Sequence, residues 1–292
     1  MRWIVGLDLT ERSAGAITFA RWFHQHLTDE HFLGAHIIEA SARLQAYDIG
    51  EMSGRAALVA RKMIADAGAA AAIPEVEVRA AEGAARALEE LSHERSSVGI
   101  IVGRKAPRGE RPLVALGRIA RRLVRRAPTS LIVVPPDLSA SDLGGPIVVA
   151  TDLTESAARA LHFARGIARE TGLPLVVAHV VEVVDALQLY VPTLDFSSTR
   201  IEARARSEAA VDAWLRDHYV APGPEITVAL PDGPVFSGLS DVIEEHRPSL
   251  VVCGSRRLSA TERLFLSSVG TELASRAPTA VAIIPFESDV AA

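Results

Sequence analysis

The chain has 292 residues, 49% of them hydrophobic, with one cysteine and a formal net charge of −5 at pH 7. Without a run of about 18 apolar residues or a basic-then-apolar leader, it is not expected to span a membrane or to be secreted. The single cysteine excludes an intramolecular disulfide and fits a reducing cytoplasm.

Short β-branched runs alternate with longer helical patterns along the whole chain. The first part predicts strands at 3–8, 32–38, 74–80, 98–103 and 130–134, and helices at 13–27, 53–69, 84–94 and 117–126. The second part predicts strands at 146–151, 174–181, 225–230, 249–253 and 280–284, and helices at 156–171, 199–218, 236–246 and 267–276. Several strands are apolar at every position, which is typical of parallel strands covered on both faces. The fold class predicted is α/β, with two doubly wound, open, parallel sheets of five strands each.

The two parts of the chain repeat each other in sequence. Three pairs of segments recur in the same order: Ile4–Glu11 with Val148–Glu155, Ala35–Glu39 with Ala178–Glu182, and Arg126–Thr129 with Arg276–Thr279. A repeat of roughly 145 residues is long enough to be a domain with its own core. We therefore expect domains at 1–137 and 146–286, a linker rich in Ser, Gly and Asp at 138–145, and a tail at 287–292.

The first candidate site follows the first strand of each copy. In an open parallel sheet, ligands bind at the carboxyl ends of the strands, near the point where the strand order reverses. An Asp-Leu-Thr-Glu motif stands there in both copies and includes Asp8 in the first, and Asp152 and Thr154 in the second. The carboxylate could accept hydrogen bonds from a base or a ribose, or the Asp and Thr could cap the next helix. The sequence leaves both alternatives open.

The second candidate site is the loop after the fourth strand. It reads Gly103-Arg104-Lys105-Ala106 in the first copy and Gly254-Ser255-Arg256-Arg257 in the second, and the next helices are predicted to begin at Gly117-Arg118 and Ser267-Ser268. Free N–H groups before a helix N-terminus favour anions, and arginine adds bidentate donors. A tight turn at the glycine and a helix cap at Ser267 would explain the same residues without a ligand.

On these residues the chain resembles the universal stress protein family, as two tandem domains. The family pattern after the fourth strand is G-x-x-G, nine residues, then G-[ST], and a helix that ends near Ala-Pro. The second copy keeps this spacing from Gly254 through Arg257 to Ser267-Ser268, and the first copy keeps Gly103 and Gly117 with one extra residue between them. In nucleotide-binding members the pattern wraps the phosphates, and the aspartate lies beside the nucleoside. The resemblance implies a Rossmann-like, adenine-nucleotide alpha-hydrolase-like fold with ATP or AMP as the ligand. No metal is inferred, because the sequence has no H-E-x-x-H motif and no paired cysteines.

Both copies depart from the family pattern. The second glycine is replaced by Ala106 and Arg257, and Arg118 stands where a small hydroxyl residue is expected. A side chain at a glycine position hinders close approach of the backbone to phosphate. The second copy, with two hydroxyls at the helix start, is expected to be the better nucleotide site. No catalytic residue can be assigned, and three functions remain open: a cytoplasmic stress-response regulatory module, a slow ATPase, and a scaffold with vestigial sites.

The resemblance also predicts how the two copies assemble. In similar proteins the last strand of one domain pairs with its counterpart across a dimer, so the strands at 131–134 and 280–284 should pair within this chain as a pseudo-dimer. These strand edges would otherwise stand exposed. A further homodimer remains open.

A basic block interrupts an otherwise acidic chain. Residues 103–128 carry nine basic residues and one acid, a net charge of +8, which leaves −13 for the remainder. Five arginines in this block share one predicted helix face: Arg118, Arg121, Arg122, Arg125 and Arg126. The face could bind an acidic protein partner or another polyanion, or it could simply be solvated. No aromatic or nucleic-acid motif accompanies it, so sequence-specific binding of nucleic acid is not expected.

Overall fold

The computed structural model describes residues 2–27, 31–39, 48–109, 115–126, 129–181, 197–218, 226–255 and 269–286. The first half contains β1 (Arg2–Gly6), α1 (Ala14–His26), β2 (His31–Glu39), α2 (Ile49–Asp66), β3 (Glu75–Ala81), α3 (Ala84–Glu94), β4 (Gly99–Gly103), α4 (Arg118–Arg126) and β5 (Ser130–Val134). The second half contains β6 (Ile147–Ala150), α5 (Glu155–Thr171), β7 (Leu175–Ala178), α6 (Ser197–Asp217), β8 (Ile226–Ala229), α7 (Val235–His246), β9 (Leu250–Ser255), α8 (Val269–Arg276) and β10 (Ala280–Pro285). The order and type of these elements are those predicted from the sequence.

The start of α2 is the clearest difference from the predicted bounds. The helix begins at Ile49 rather than at residue 53. The carboxylate of Asp48 accepts hydrogen bonds from the N–H groups of Gly50 and Glu51, so it caps the helix one turn earlier than the apolar pattern suggested.

The strands that the structure describes form one sheet in the order β3-β2-β1-β4-β5-β10-β9-β6-β7-β8. Within each half the strands pair in parallel, and the strand order reverses between β1 and β4 and between β6 and β9. β5 and β10 pair antiparallel at the centre, with Val133 opposite Val281 and Leu131 opposite Ile283. The predicted doubly wound fold and the predicted pairing of the last strands are both confirmed. The two predicted sheets are therefore joined into a single sheet of ten strands.

Two helix layers bury the two faces of this sheet. The core on one face contains buried residues of α1, α2, α5 and α6, and the core on the other contains buried residues of α3, α4, α7 and α8. The first core is aromatic in the first half, where Trp3, Phe19, Phe23 and Phe32 are almost fully buried. All four residues of β6 are buried, which explains why the strand lacks a polar alternation.

The predicted linker at 138–145 packs against the protein. Leu138 and Leu143 are buried in the core, and a short 3₁₀ turn spans Ala140–Asp142. Arg108 of the first half pairs with Asp142 at 2.8 Å. Of the helices in the described part of the chain, none has the length and apolarity needed to cross a membrane.

Candidate functional site

The candidate site in each copy lies where the strand order reverses. β1 and β4 are neighbours, with Gly6 opposite Val102, and β6 and β9 are neighbours, with Ala150 opposite Cys253. The loops that follow these strands therefore leave the sheet side by side. The topology brings the loop of Asp8 next to Gly103 in the first copy, and the loop of Asp152 next to Gly254 in the second.

The carboxylate of Asp8 organises the loop in which it stands. Its Oδ1 accepts hydrogen bonds from the Thr10 N–H at 2.9 Å, the Thr10 hydroxyl at 2.8 Å and the Ser13 hydroxyl at 2.9 Å. The hydroxyl oxygen of Ser13 in turn accepts from the N–H of Asp8 at 2.9 Å. The capping alternative from the sequence holds for Thr10, whose hydroxyl accepts from the N–H of Arg12 at the start of a 3₁₀ turn, while the exposed Asp8 orders the residues before it.

The second copy repeats this turn through Thr154. Oδ1 of Asp152 accepts from the Thr154 N–H at 3.1 Å and from the Thr154 hydroxyl at 2.5 Å. Ala157 stands at the position of Ser13, so the hydroxyl that binds Asp8 in the first copy has no equivalent here. Thr154, predicted as a site residue, is also the N-cap residue of α5.

Both turns contain a leucine in the left-handed conformation. Leu9 has a φ of 58° and Leu153 a φ of 62°. A side chain other than glycine in this region is strained by roughly 1–2 kcal/mol. The same strain at the same place in both copies indicates that the Asp-Leu-Thr turn is held in a defined shape at the edge of the sheet.

Gly103 and Gly254 allow the fourth strand to pack closely on this turn. A Cβ atom at Gly103 would lie within 3.0 Å of the carbonyl oxygen of Arg12, and one at Gly254 would lie within 3.0 Å of the carbonyl oxygen of Ser156. Close packing of backbone on backbone therefore accounts for both glycines without a ligand. Gly117, by contrast, has a φ of 76°, so glycine relieves strain just before α4.

The sequence matches the universal stress protein family over residues 1–135 and again over residues 145–285. The chain belongs to the universal stress protein family. A universal stress protein from Archaeoglobus fulgidus DSM 4304 is 20% identical, with a TM-score of 0.67 over 97% of this chain and 98% of that chain. A functionally unknown protein from Pseudomonas aeruginosa PAO1 is 14% identical, with a TM-score of 0.63 over 97% of this chain and 92% of that chain. A search of curated proteins found no match.

Only part of the family's phosphate-loop pattern lies in the described residues of this universal stress protein. β9 ends at Ser255 beside the turn of Asp152, since Gly254 packs against Ser156, and α8 begins at Val269. The other predicted site residues of the second copy lie outside the described residues: Arg256, Arg257, Ser267 and Ser268.

The expectation that an arginine after Gly103 strengthens an anion site is wrong for Arg104. This side chain is 2% exposed and points to the second copy, where its guanidinium donates to the carbonyl oxygens of Ala277 at 2.8 Å and Ala274 at 3.5 Å. It also donates to the carbonyl oxygen of Ala106 at 2.8 Å. Burial lowers the pKa of Arg104 to about 10, so it remains charged at neutral pH. A cation at the C-terminal end of α8 is favoured by the helix dipole.

The start of α4 in the first copy is held by an ion pair that the sequence did not predict. Arg118 donates from Nη2 to Oε2 of Glu39, the last residue of β2. Oε1 of Glu39 accepts from the N–H of Ala84, the first residue of α3, at 3.2 Å. The amide of Ala84 and the guanidinium of Arg118 hold the pKa of Glu39 below its ordinary value, although partial burial acts in the opposite direction. The one signal in the sequence was that Glu39 recurs as Glu182 in the repeat.

Two histidines brace the same edge of the sheet. Nδ1 of His36 donates to the carbonyl oxygen of Leu7 at 2.8 Å, and Nδ1 of His179 donates to that of Thr151 at 3.1 Å. These bonds tie the second strand of each copy to the end of the first. Among the described residues, no group of three or more His, Cys, Asp or Glu side chains could hold a metal ion.

Cys253 stands directly before Gly254 and is buried. Burial raises the pKa of its thiol to about 12, and the thiol donates to the carbonyl oxygen of Ala282 at 3.6 Å. A thiol with so high a pKa is a poor nucleophile, so Cys253 serves as a packing residue beside the site.

The predicted arginine face of α4 is partly neutralised. Arg126 pairs with Glu89 at 3.1 Å, and Arg118 pairs with Glu39. Arg121 and Arg125 form no ion pair within the described part of the chain, and Arg125 is exposed. The cationic surface is therefore smaller than the five arginines of the sequence suggested.

Proposed function

We propose that this universal stress protein is a cytoplasmic stress-response regulatory module that binds an adenine nucleotide, ATP or AMP, in its second copy. One observation carries the proposal: the strained turn at Asp152 and Thr154 packs against Gly254 where the strand order reverses, the place at which open parallel sheets bind ligands. By resemblance to nucleotide-binding members of the family, Asp152 would accept hydrogen bonds from the nucleoside.

The phosphates would be bound by the loop between β9 and α8. We assign this role to Gly254, Ser255, Arg256, Arg257, Ser267 and Ser268. The loop carries two consecutive arginines, and Ser267 and Ser268 directly precede α8 in sequence. Free N–H groups at a helix start, hydroxyl donors and guanidinium groups are the donors that phosphate prefers.

The first copy is the weaker candidate, although it has Asp8, Gly103 and Gly117. Its aspartate is bound by Ser13, and Arg118 occupies the position that Ser268 holds in the second copy. Arg104, which follows Gly103, is buried against α8.

Native mass spectrometry of the undenatured protein tests the proposal. We expect one adenine nucleotide per chain in the wild-type protein and in the Asp8→Asn variant, and none in the Asp152→Asn variant. Arg257→Ala and Ser268→Ala should each weaken ATP binding by about 1–3 kcal/mol, because each removes a donor to phosphate.

The alternatives predict other outcomes of the same experiment. Conversion of bound ATP to ADP over hours in the wild-type protein, and not in the Asp152→Asn variant, would favour a slow ATPase. A protein that carries no nucleotide and takes up none when ATP is added would favour a scaffold with vestigial sites.

A second candidate function is favoured by the charge of α4. Arg125 is exposed and Arg121 is half-buried, while the chain outside residues 103–128 has a net charge of −13. The acidic remainder repels long nucleic acids, so we propose an acidic protein segment as the partner of this face. Titration of a labelled polyglutamate peptide across a salt series tests it, and we expect binding that falls steeply with salt and is lost in Arg121→Glu/Arg125→Glu. Binding that is unchanged in this variant would contradict it.

A further inference from the structure

An ion pair bridges the candidate site of the first copy, which we call its cleft. β1 lies between β2 and β4 in the sheet. Glu39 ends β2 on one side of β1, and Arg118 begins α4, the helix that follows β4, on the other side. Because Arg118 donates to Glu39, the pair joins the elements on the two sides of β1. It does so beyond the carboxyl end of β1, where Glu39 lies four residues past Ala35, the partner of Gly6. We name it the cross-cleft ion pair.

The carboxylate of Glu39 also fills an anion position at the start of α3. Its second oxygen accepts from the first N–H of the helix, at Ala84, and the N-cap residue Gly83 makes no side-chain cap hydrogen bond. A helix N-terminus attracts negative charge through its free N–H groups and its dipole. In the first copy, that charge is supplied by the chain itself.

The second copy cannot form the same ion pair. The sequence counterpart of Glu39 is Glu182, but the counterpart of Arg118 is Ser268. A serine is neutral and too short to reach across a strand. The residue at this one position, Arg118 in the first copy and Ser268 in the second, therefore decides whether the ion pair can form.

We propose that the cross-cleft ion pair closes the first copy to nucleoside polyphosphates, and that Glu39 and Arg118 thereby determine which copy binds. The proposal rests on the proposed function, since it takes the cleft at the end of β1 or β6 as the ligand position. The carboxylate repels phosphate charge, and the bridge uses the guanidinium that would otherwise bind it.

Two variants remove the ion pair from opposite sides. Glu39→Gln keeps the shape of the side chain and an oxygen that can accept from Ala84, and Arg118→Ser introduces the residue of the second copy. The matched control, Arg126→Ser, removes the ion pair with Glu89 at the other end of the same helix. Isothermal titration calorimetry gives the number of ATP molecules bound per chain, and thermal unfolding shows that each variant is folded.

We expect Glu39→Gln and Arg118→Ser each to bind one more ATP than the wild-type protein, and Arg126→Ser to bind the same number. The Kd of the added site should be lower, by about tenfold or more, than the Kd of any second ATP molecule that the wild-type protein binds. Folded Glu39→Gln and Arg118→Ser proteins that bind no additional ATP would overturn the inference.

The same titration separates this inference from the proposed function. A wild-type protein that binds no ATP contradicts the proposed function, yet a gain of one site in both variants would still support the closed first copy. If all four proteins bind one ATP, the proposed function stands and the cross-cleft ion pair is not the reason for the asymmetry.

Discussion

The two halves of the molecule share their strand order and the strained Asp-Leu-Thr turn, but they differ in the side chains that surround it. In the first half Ser13 binds Asp8, Arg104 is buried against the other half, and Arg118 reaches Glu39. Their counterparts in the second half are the small residues Ala157, Ser255 and Ser268. After duplication, one copy can acquire structural contacts at its candidate site that the sequence of the other copy cannot repeat. The difference lies in individual side chains, since the backbone framework is repeated.

The largest expected effect concerns a feature that the two halves share. Gly103→Ala and Gly254→Ala should each lower the free energy of unfolding by about 3 kcal/mol, because each new Cβ would meet a backbone carbonyl that has little room to move. Urea unfolding measures the change. Gly166→Ala is the control, since its Cβ would meet nothing within 4 Å, and this variant should be unchanged or slightly more stable. Equal stability of all three variants would contradict the close packing described above.

A smaller effect on stability should differ between the two halves. Arg104→Ala should lower the free energy of unfolding by about 2 kcal/mol, because it leaves the carbonyl groups of Ala106 and Ala277 without their charged donor. Ser255→Ala, at the equivalent position, should change it by less than about 0.5 kcal/mol. Chemical denaturation of both variants gives the comparison. Similar losses of unfolding free energy in the two variants would show that Arg104 does not distinguish the halves.

The alternation of strand and helix and the long repeat were enough to predict the order of the elements, because that order depends on local apolar patterns. The pairing of β5 with β10 was predicted from the resemblance to the family, since no local pattern reports which strands meet. The start of α2 could not be predicted from the apolar period alone, because it depends on the cap at Asp48.

The contacts of the site were harder to predict, because they join residues far apart in sequence. Arg104 reaches Ala277, and Glu39 meets Arg118, through the topology of the sheet. A charged residue after a glycine looks the same in sequence whether it faces a ligand or is buried against another domain. The left-handed leucines also have no sequence signal, since leucine rarely adopts this conformation.

The smallest expected effect is the contribution of the cross-cleft ion pair to stability. Glu39 is about one-third exposed, so Glu39→Gln should lower the free energy of unfolding by less than about 1 kcal/mol at pH 7. Because the pKa of Glu39 is lowered in the folded state, its contribution is present above the ordinary value of 4.5 and disappears as the pH falls through the folded value. Urea unfolding between pH 7 and 3.5 should therefore show the two proteins converging. A difference that grows toward low pH would contradict this sign.

The most direct test of the difference between the halves is to locate a bound nucleotide along the chain. Photoaffinity labelling of the wild-type protein with 8-azido-ATP, followed by proteolysis and peptide mapping, reports which copy holds the base. We predict that the label, which excess ATP should displace, lies within residues 145–285, the second region that matches the family. If excess ATP displaces label from residues 1–135, either alone or as much as from the second region, the result contradicts a closed first copy and an open second copy.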